Sequence, residues 1–352
     1  MRILIVAEAP GKEEDLRNTQ LIGPAGQLLR DALAEFGIDL DRDCRKTNSC
    51  RCRPPENRRP TNQEIIACQP HIWDEIKERP PKLILLLGQV AVESFLSGRV
   101  KSPGQIGRWR GFVIPDQKAQ AWVCPVWHPS FILRSREGRM IRGKTEPVLP
   151  MEERIFMEDL NHALRYLKKT FPIAPVPVVC TPSDSDFLRW KKTPTVIATD
   201  YETTGLKPYQ KGHKIISCGV CWGEEATSFP MTTETVQKWK KILIDPTIKK
   251  LFHNCKFECQ WSLRCLGVET KGVLWDTMLA SHLLDNRRGI CGLKHQIYLN
   301  FGVENWGSGI AFSEDENGFN SSEPTEELLH YNLLDAFWTY QLAQVQMKQF
   351  SK

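Results

Sequence analysis

A proline-rich segment at residues 171–177 does most to limit what this chain can fold into. Its sequence, Phe-Pro-Ile-Ala-Pro-Val-Pro, places three prolines within seven residues. Proline cannot donate a backbone hydrogen bond, so neither a helix interior nor a central strand can run through this segment. The length of 352 residues also favours two domains over one. We therefore predict domains at residues 1–170 and 178–352, joined by a linker at 171–177.

Residues 1–170 alternate between apolar runs and amphipathic stretches, as α/β domains do. Arg2–Val6 and Lys82–Leu87 are short, largely apolar runs that indicate buried parallel strands. Thr61 and Glu64 have the spacing of a capping box, which predicts a helix through about Ile76. The same patterns predict a helix at 28–36, a strand at Val123–Trp127 and a helix at Glu152–Lys169. We expect a parallel sheet flanked by helices.

The alternating pattern starts again after the proline-rich segment. Four strands are predicted, at Val176–Cys180, Thr195–Tyr201, Ile215–Trp222 and Glu225–Phe229. Two helices are predicted, near Asp184–Lys191 and from Glu326 to Phe350. The second half is therefore also predicted to be an α/β domain.

Composition and hydropathy bear on the compartment. Hydrophobic residues make up 41% of the chain and charged residues 25%, the usual balance for globular protein. No apolar run is long enough to span a bilayer, and Ile3–Ala7 is too short for a signal-peptide core. We expect a cytoplasmic protein with no membrane partner, in which disulfides are not expected among the 12 cysteines.

The net charge of +5 is unevenly distributed. Basic residues crowd two short stretches, residues 45–59 and residues 134–144. Such clusters suit contacts with nucleic-acid phosphates. A solvated basic face is the alternative, and charge alone does not choose between the two.

Two pairs of side chains in the second half have spacings that suit a metal site. Asp200 and Glu202 end a predicted strand, and alternate strand residues point to the same side. Two adjacent carboxylates repel each other unless a cation such as Mg²⁺ or Mn²⁺ neutralises them. Tyr331 and Asp335 lie four residues apart on a predicted helix and so share a face. Taken singly, a core tyrosine beside a surface aspartate is the simpler interpretation of the second pair.

Taken in order with Phe252–Glu258 and the Asp-Thr-Met sequence at 276, these pairs resemble the three motifs of the DEDD exonuclease superfamily. The similarity is greatest to the tyrosine-bearing subgroup, which forms the proofreading domain of family A DNA polymerases. It runs from about Val176 to Gln349 and implies a ribonuclease H-like α/β fold with metal-dependent 3′→5′ exonuclease activity. Glu258 departs from the family, which usually has aspartate there.

The resemblance implies two metal ions, Mg²⁺ or Mn²⁺. Asp200, Glu202 and Asp335 would hold the first ion. Asp200 would hold the second, helped by Glu258 through water, and the longer Glu258 side chain would weaken binding of that ion. Two such ions would supply an activated water, a stabilised 3′ oxygen and neutralised charge on phosphorus.

The same resemblance implies roles for three further side chains. Tyr331 would orient the attacking water. Asn254 and Lys256 would lie near the DNA strand.

Loop-forming fragments follow the predicted strands of the first half. They are Glu8–Asp15, Leu21–Gly26, Thr47-Asn48, Pro54–Thr61 and the segment His128–Arg134. Each alone could be an ordinary turn. Together they resemble the uracil-DNA glycosylase superfamily, nearest to the iron–sulfur-bearing family 4, over about residues 1–168. The resemblance implies a pocket at the carboxyl ends of a parallel sheet, and base flipping followed by N-glycosidic cleavage.

Four side chains acquire roles from this second resemblance. Glu8 lies in the motif that positions the catalytic water. Asn48 corresponds to the residue that reads the uracil edge, because an amide both donates and accepts. His128 corresponds to the residue that stabilises charge on the uracil oxygen, and Arg134 would contact DNA.

Two departures predict a weakened uracil pocket. The first glycine of the family motif is Ala7 here, which adds a methyl group where the backbone would use glycine's freedom. The aromatic residue that stacks on uracil is Leu21 here. Base–aromatic stacking is worth about 1–3 kcal/mol per base, so its loss should weaken base capture.

The cysteines decide whether an iron–sulfur cluster is expected. Cys52 and Cys68 match two of the four family ligands, with a separation of sixteen (68 − 52 = 16). The other pair should precede the first strand, where this sequence begins, and Cys44 and Cys50 do not fit the pattern. We therefore expect no complete [4Fe–4S] cluster and expect Cys52 and Cys68 to be packed in the core. A bound cluster is the alternative.

Together the two resemblances match the N-terminal part of phage-type family A DNA polymerases. We expect a metal-dependent 3′→5′ DNA exonuclease with a glycosylase-like DNA-binding domain. It would act on single-stranded DNA or DNA 3′ ends in replication or repair, in a bacterial or phage-infected cell. Its partner would be a DNA polymerase subunit or a polymerase domain absent from this sequence. The alternatives are an active bifunctional enzyme, a non-catalytic replication-associated DNA-binding module, and RNA as substrate.

Overall fold

The computed structural model describes residues 2–100, 102–140, 151–180, 190, 193–307 and 324–351. The chain forms two compact units. The first unit contains Met1–Ala174 and Tyr298–Glu304, and the second contains Pro175–Ile297 and Asn305–Lys352. Both units combine a β-sheet with helices, so the predicted α/β fold class is confirmed.

The first unit is built on a five-stranded sheet. Its strands are β1 (Ile3–Ala7), β2 (Cys44–Asn48), β3 (Leu83–Leu87), β4 (Ile114–Asp116) and β5 (Ala121–Val126), in the order β2-β1-β3-β5-β4. All neighbouring pairs are parallel except β4 and β5, which are antiparallel. The apolar runs predicted as β1 and β3 are buried along their whole length, as parallel strands covered on both faces must be.

The helices of the first unit cover both faces of this sheet. They are α1 (Lys12–Arg17), α2 (Pro24–Ala34), α3 (Asn62–Glu78), α4 (Gly88–Leu96), α5 (Pro129–Met140) and α6 (Met151–Arg165). The predicted capping box at the start of α3 is confirmed by reciprocal bonds between Thr61 and Glu64. Alternate residues of β1 enter opposite cores, Ile3 and Ile5 on one side and Leu4 and Val6 on the other.

The second unit contains a six-stranded mixed sheet. Its strands are β6 (Val178–Val179), β7 (Val196–Thr203), β8 (Ile215–Trp222), β9 (Glu225–Pro230), β10 (Lys249–Phe252) and β11 (Val273–Asp276), in the order β11-β10-β7-β8-β9-β6. Strand β8 is antiparallel to β7 and β9, and the remaining pairs are parallel.

The described helices that accompany this sheet are α7 (Thr233–Ile244), α8 (Cys255–Trp261), α9 (Thr277–Leu284), α10 (Leu293–Phe301) and α11 (Glu326–Phe350). The end of α10, from Tyr298 onward, belongs to the first unit. Helix α11 packs across β7, β8 and β9, and it is the element that completes the candidate site. The helix predicted near Asp184–Lys191 lies outside the described residues apart from Trp190. The strand predicted at Val176–Cys180 is present only as β6.

The first basic stretch is partly internal to the fold. Arg45 lies in β2, where it is buried and paired with Glu75 at 2.6 Å. Lys46 pairs with Asp41 at 2.5 Å. These two residues therefore do not form the phosphate-binding surface that the charge pattern suggested. Strand β2 was not predicted because its sequence, Cys-Arg-Lys-Thr-Asn, contains no apolar run.

Candidate functional site

Three carboxylates of the second unit converge at one end of its sheet. Asp200 and Glu202 are alternate residues of β7, and Asp335 lies in the middle of α11. Each offers an oxygen atom, and these three atoms lie within 4.8 Å of one another. Glu202 and Asp335 are buried and Asp200 is half-buried. The structure thus brings together the two pairs that the sequence placed about 130 residues apart.

Asn332 fixes the position of α11 against the sheet. Its side-chain NH₂ donates to the backbone oxygen of Asp200 at 3.1 Å and to the Asp200 carboxylate at 2.9 Å. Its side-chain oxygen accepts from the hydroxyls of Ser217 and Ser228 at 3.0 and 3.2 Å. The helix also approaches β8 so closely that a Cβ at Gly219 would lie 2.3 Å from the Asn332 carbonyl oxygen. These contacts direct the following turn of α11, with Asp335, toward β7.

Tyr331 lies one helical turn before Asp335 and faces the same cluster. Burial raises the pKa of its phenol, and the negative charges of Asp335, Glu202 and Asp200 raise it further. The phenol therefore stays protonated near neutral pH and can act as a hydrogen-bond donor. Its ring is closely covered, because a Cβ at Gly307 would lie 2.6 Å from a Tyr331 ring carbon.

Glu258 belongs to the first turn of α8 and is buried beside the cluster. Burial raises its carboxyl pKa well above the usual range, and the charges of Asp200 and Glu202 act in the same direction. Its Oε2 atom accepts no hydrogen bond from any described residue. A buried carboxylate oxygen without a partner is costly, so Glu258 is suited to a cation or its bound water.

The electrostatics of the cluster favour a divalent cation. Burial raises the pKa values of Asp200 and Glu202 well above the usual range, and repulsion from neighbouring carboxylates adds to the rise. The donor set consists of carboxylate oxygens, which are the preferred ligands of Mg²⁺ and Mn²⁺. The residues present therefore fit a metal site.

Asn254 and Lys256 stand at the start of α8. Asn254 has a left-handed backbone, with φ of 73°, and Lys256 is exposed. The turn is held by Asp276, whose carboxylate accepts from the backbone N–H groups of Asn254 and Cys255 at 3.1 and 2.8 Å. Asp276 also caps α9, so the Asp-Thr-Met sequence has a structural role.

Two residues near the cluster were not singled out by sequence reasoning. Lys294, in α10, contacts the Oδ1 atom of Asp335 with its ammonium group. The indole N–H of Trp306 donates to the same oxygen at 2.7 Å. Neither residue has a fixed spacing from the carboxylates, so no sequence pattern could have indicated them.

The first unit contains a cavity of about 630 Å³ at the carboxyl ends of β1, β2 and β5. The residues predicted for the uracil pocket all line it, as does Arg134: Glu8, Leu21, Asn48 and His128. Burial raises the pKa of Glu8, while Arg59 and Arg134 oppose the rise.

The pKa of His128 is lowered in this cavity. Burial lowers its pKa to about 4, and the positive charge of Arg134 contributes. The ring is therefore neutral near pH 7. Its Nδ1 atom lies 2.8 Å from the Ser130 hydroxyl oxygen and 3.2 Å from the Ser130 backbone nitrogen. A neutral imidazole carries one N–H group and can donate one hydrogen bond.

Comparison with known protein families covers both units. The family model described as "Uracil DNA glycosylase superfamily" matches residues 1–149. The type-4 uracil-DNA glycosylase of Thermotoga maritima is 36% identical over 168 residues, which cover 48% of this chain and 79% of that protein.

The chain belongs to the uracil-DNA glycosylase superfamily. A second family model, described as "3'-5' exonuclease", matches residues 183–349, so a 3′–5′ exonuclease domain follows the glycosylase-superfamily domain. The DNA polymerase of Bacillus phage SP01 is similar to both parts, with 26% identity over 316 residues. That match covers 81% of this chain and only 33% of the polymerase.

The solved structures similar to this chain include a Brucella melitensis protein titled NrnC with bound Mg²⁺. It is 19% identical, with a TM-score of 0.37, and the match covers 51% of this chain and 82% of that protein. No described helix of the present chain is both long and apolar enough to cross a membrane.

Ala7 and Leu21, the two departures in the glycosylase-superfamily domain, differ in their structural effect. Ala7 is a buried residue of β1 without a positive φ, so its methyl group meets no backbone strain, contrary to our expectation. Leu21 has a φ of 56° and lies at the edge of the cavity, in the left-handed region that non-glycine residues rarely adopt. A Cβ at Gly26 would lie 1.9 Å from the Leu21 carbonyl oxygen, so this turn is tightly fixed.

The cysteines of the glycosylase-superfamily domain correct one expectation. Cys52 is exposed and is not packed in the core as we expected. Cys68 is half-buried and packs with Cys50 and Ile65. In the described part of the chain, no group of three or more metal-binding side chains includes a cysteine. The local reason is that Cys52 lies in an irregular segment after β2, where the neighbouring Arg51 is exposed as well.

Arg58 and Arg134 line the cavity, and Arg58 and Arg59 also form ion pairs. Arg58 pairs with Glu64 at 2.7 Å, and Arg59 contacts Glu93. Arg134, in α5, lines the cavity and is thus placed where a bound nucleic acid would approach it.

Proposed function

We propose that the second unit is a divalent-cation-dependent 3′→5′ exodeoxyribonuclease of the proofreading type. The observation that carries this proposal is the convergence of Asp200, Glu202 and Asp335, whose oxygens lie within 4.8 Å. Tyr331 supports it, because it faces the cluster from the preceding turn of α11.

The carboxylates would divide between two cations, Mg²⁺ or Mn²⁺. Asp200, Glu202 and Asp335 would hold the first, and Asp200 with Glu258 would hold the second. When bound, such cations activate water, neutralise charge on the phosphate and stabilise the leaving 3′ oxygen. The unpartnered oxygen of Glu258 supports its place in this set.

The remaining side chains would bind the nucleic acid and orient the attacking water. Tyr331 keeps its phenolic proton, because its pKa is raised, and would hold the attacking water through the hydroxyl group. Lys256 is exposed at the start of α8 and would contact a backbone phosphate. Asn254, fixed in a left-handed turn, would contact the 3′-terminal nucleotide.

The test uses single-stranded DNA carrying a label near its 3′ end. We expect shortening from the 3′ end in Mg²⁺, none in EDTA, and none with Asp200→Ala. Glu224→Ala, an exposed carboxylate in the β8–β9 turn, serves as a matched control and should retain the activity. Digestion by Asp200→Ala at the wild-type rate would refute the assignment. An RNA strand of the same sequence, tested in parallel, decides between DNA and RNA as substrate.

The proofreading assignment requires its own substrate. A primer with a mismatched 3′ end should be shortened faster than a fully paired primer, because the terminal nucleotide must leave the duplex to reach the cluster. Equal rates on the two primers would exclude proofreading and leave a general exonuclease. The similarity to a phage DNA polymerase supports a role in replication or repair within the cytoplasm, with a polymerase subunit or polymerase domain as partner.

For the glycosylase-superfamily domain we propose DNA binding with a weakened uracil pocket. Asn48 and His128 line one cavity, so a flipped base could still be read and the charge on its oxygen stabilised. Leu21 lacks the ring that would stack on that base. We expect weak excision from a uracil-containing single strand, measured by alkaline cleavage in EDTA so that the exonuclease is inactive. Rapid excision that disappears in Asn48→Ala would instead establish an active bifunctional enzyme.

A further inference from the structure

Two residues outside the carboxylate set bind the same oxygen of Asp335. The Lys294 ammonium contacts Oδ1, and the Trp306 indole N–H donates to Oδ1 at 2.7 Å. Lys294 lies in α10 and Trp306 follows that helix, and both residues belong to the second unit. Two protein donors therefore engage Oδ1 of Asp335, and the Tyr331 phenol also hydrogen-bonds to this carboxylate.

The two donors are held in place by aromatic packing. The Lys294 ammonium lies 4.0 Å from the centroid of the Trp306 ring and 4.2 Å from that of Tyr331. The Trp306 ring packs in turn against Trp338 of α11, with centroids 6.0 Å apart. The Lys294 side chain is 28% exposed and that of Asp335 is 11% exposed, so water screens the pair only partly.

Lys294 also acts on the other carboxylates. Burial raises the pKa values of Asp200 and Glu202, and the positive charge of Lys294 opposes that rise. The ammonium group thus offsets part of the repulsion that the carboxylates exert on one another.

We propose that Trp306 is a positioning residue that holds Asp335 by Oδ1 in the orientation that a cation needs. We further propose that Lys294 supplies a countercharge that keeps the cluster assembled before a cation binds. This inference rests on the proposed function, because it assumes that Asp335 is a cation ligand.

The two donors should affect cation binding in opposite directions. Trp306 is neutral, so its hydrogen bond orients the carboxylate without repelling a cation. Lys294 carries a positive charge and shares Asp335 with the cation, so it also competes with it. Removing the indole N–H should therefore weaken cation binding, whereas removing the ammonium should strengthen it.

The test measures Mn²⁺ binding to the full chain by electron paramagnetic resonance of free Mn²⁺, which needs no substrate and no catalysis. We expect Lys294→Met to bind Mn²⁺ about tenfold more tightly, because one nearby positive charge is removed. Lys294→Arg keeps the charge and should bind like wild type. Lys241→Met, an exposed lysine of α7, controls for the loss of one charge elsewhere. Trp306→Phe keeps an aromatic ring and should bind about tenfold more weakly.

Each outcome decides one part of the proposal. Unchanged or weaker binding by Lys294→Met would overturn the countercharge role, and unchanged or tighter binding by Trp306→Phe would overturn the orienting role. General damage to the fold would weaken binding in both variants, and this result also contradicts the proposal for Lys294. If Lys294→Met does not fold, tighter binding by Lys294→Gln supports the role and unchanged or weaker binding overturns it. Failure of wild-type protein to bind Mn²⁺ would refute the proposed metal site itself.

Discussion

Replacing Asp200 by asparagine should abolish nuclease activity and yet stabilise the cation-free protein. The amide has nearly the shape of the carboxylate, and its oxygen can still accept the Asn332 bond of 2.9 Å. What it lacks is the negative charge. Asp200 lies within 4.8 Å of the oxygens of Glu202 and Asp335, and burial together with their repulsion raises its pKa.

The expected gain follows from that distance. Two full charges 4.8 Å apart repel by about 3 kcal/mol at an effective dielectric constant of about 20. The carboxyl groups reduce this cost by retaining protons, so we expect Asp200→Asn to raise the free energy of unfolding by about 2 kcal/mol at pH 8 in EDTA.

The gain should depend on pH in a defined direction. The folded-state pKa values of Asp200, Glu202 and Glu258 are raised above their unfolded values. The contribution of these groups to stability should therefore be largest where they are protonated, and it should fall as pH rises above their unfolded pKa values of about 4. Asp200→Asn should lose less over this range, and Mg²⁺ should remove most of the difference.

Calorimetric unfolding with and without Mg²⁺ tests this prediction. The transition that moves on Mg²⁺ addition reports on the second unit, and a transition that does not move serves as an internal reference. Asp335→Asn is the matched comparison, because Lys294 already offsets the charge of Asp335, and we expect no gain from it. Lower stability of Asp200→Asn than wild type at pH 8 in EDTA, or a gain that does not change with pH, would refute the reasoning.

Three further predictions can be checked with standard assays. Tyr331→Phe should slow 3′→5′ degradation by about a hundredfold without changing Mn²⁺ affinity; an unchanged rate would contradict the water-orienting role. Leu21→Phe should increase uracil excision measured in EDTA, and the increase should vanish when Asn48→Ala is added; no increase would mean that stacking is not what limits the pocket. Anaerobically purified protein should lack a complete cluster at Cys52 and Cys68; broad absorbance near 400 nm with about four irons per chain would contradict this.

Much of the second unit could be predicted from its sequence because the relevant signals are local. The bounds of β8 and α11 follow from the period of their apolar residues and agree with the structure at both ends. The pairing of Asp200 with Glu202, and of Tyr331 with Asp335, follows from the geometry of one strand and one helix. That the two pairs meet was inferred from family resemblance, because no local rule relates β7 to α11.

What the sequence did not indicate depends on tertiary contacts. Lys294 and Trp306 reach Asp335 from a segment with no fixed spacing to it. Strand β2 contains a buried arginine, whose burial depends on the Glu75 carboxylate and on the backbone oxygens of Glu75 and Arg79, at the end of α3. The position of Cys52 was mispredicted because exposure in an irregular turn depends on the path of the backbone, which has no periodic signal.

The hydrogen bonds of Asn332 determine how the site assembles. Its four hydrogen bonds join the middle of α11 to three strands at once. A shift of the helix by one residue would rotate its side chains by about 100° and translate them by about 1.5 Å, which breaks all four bonds together. A helix docked in a shifted register would therefore make none of these four hydrogen bonds. Docking of α11 should be all-or-none, so hydrogen exchange in β8 and loss of cation binding should report the same opening event.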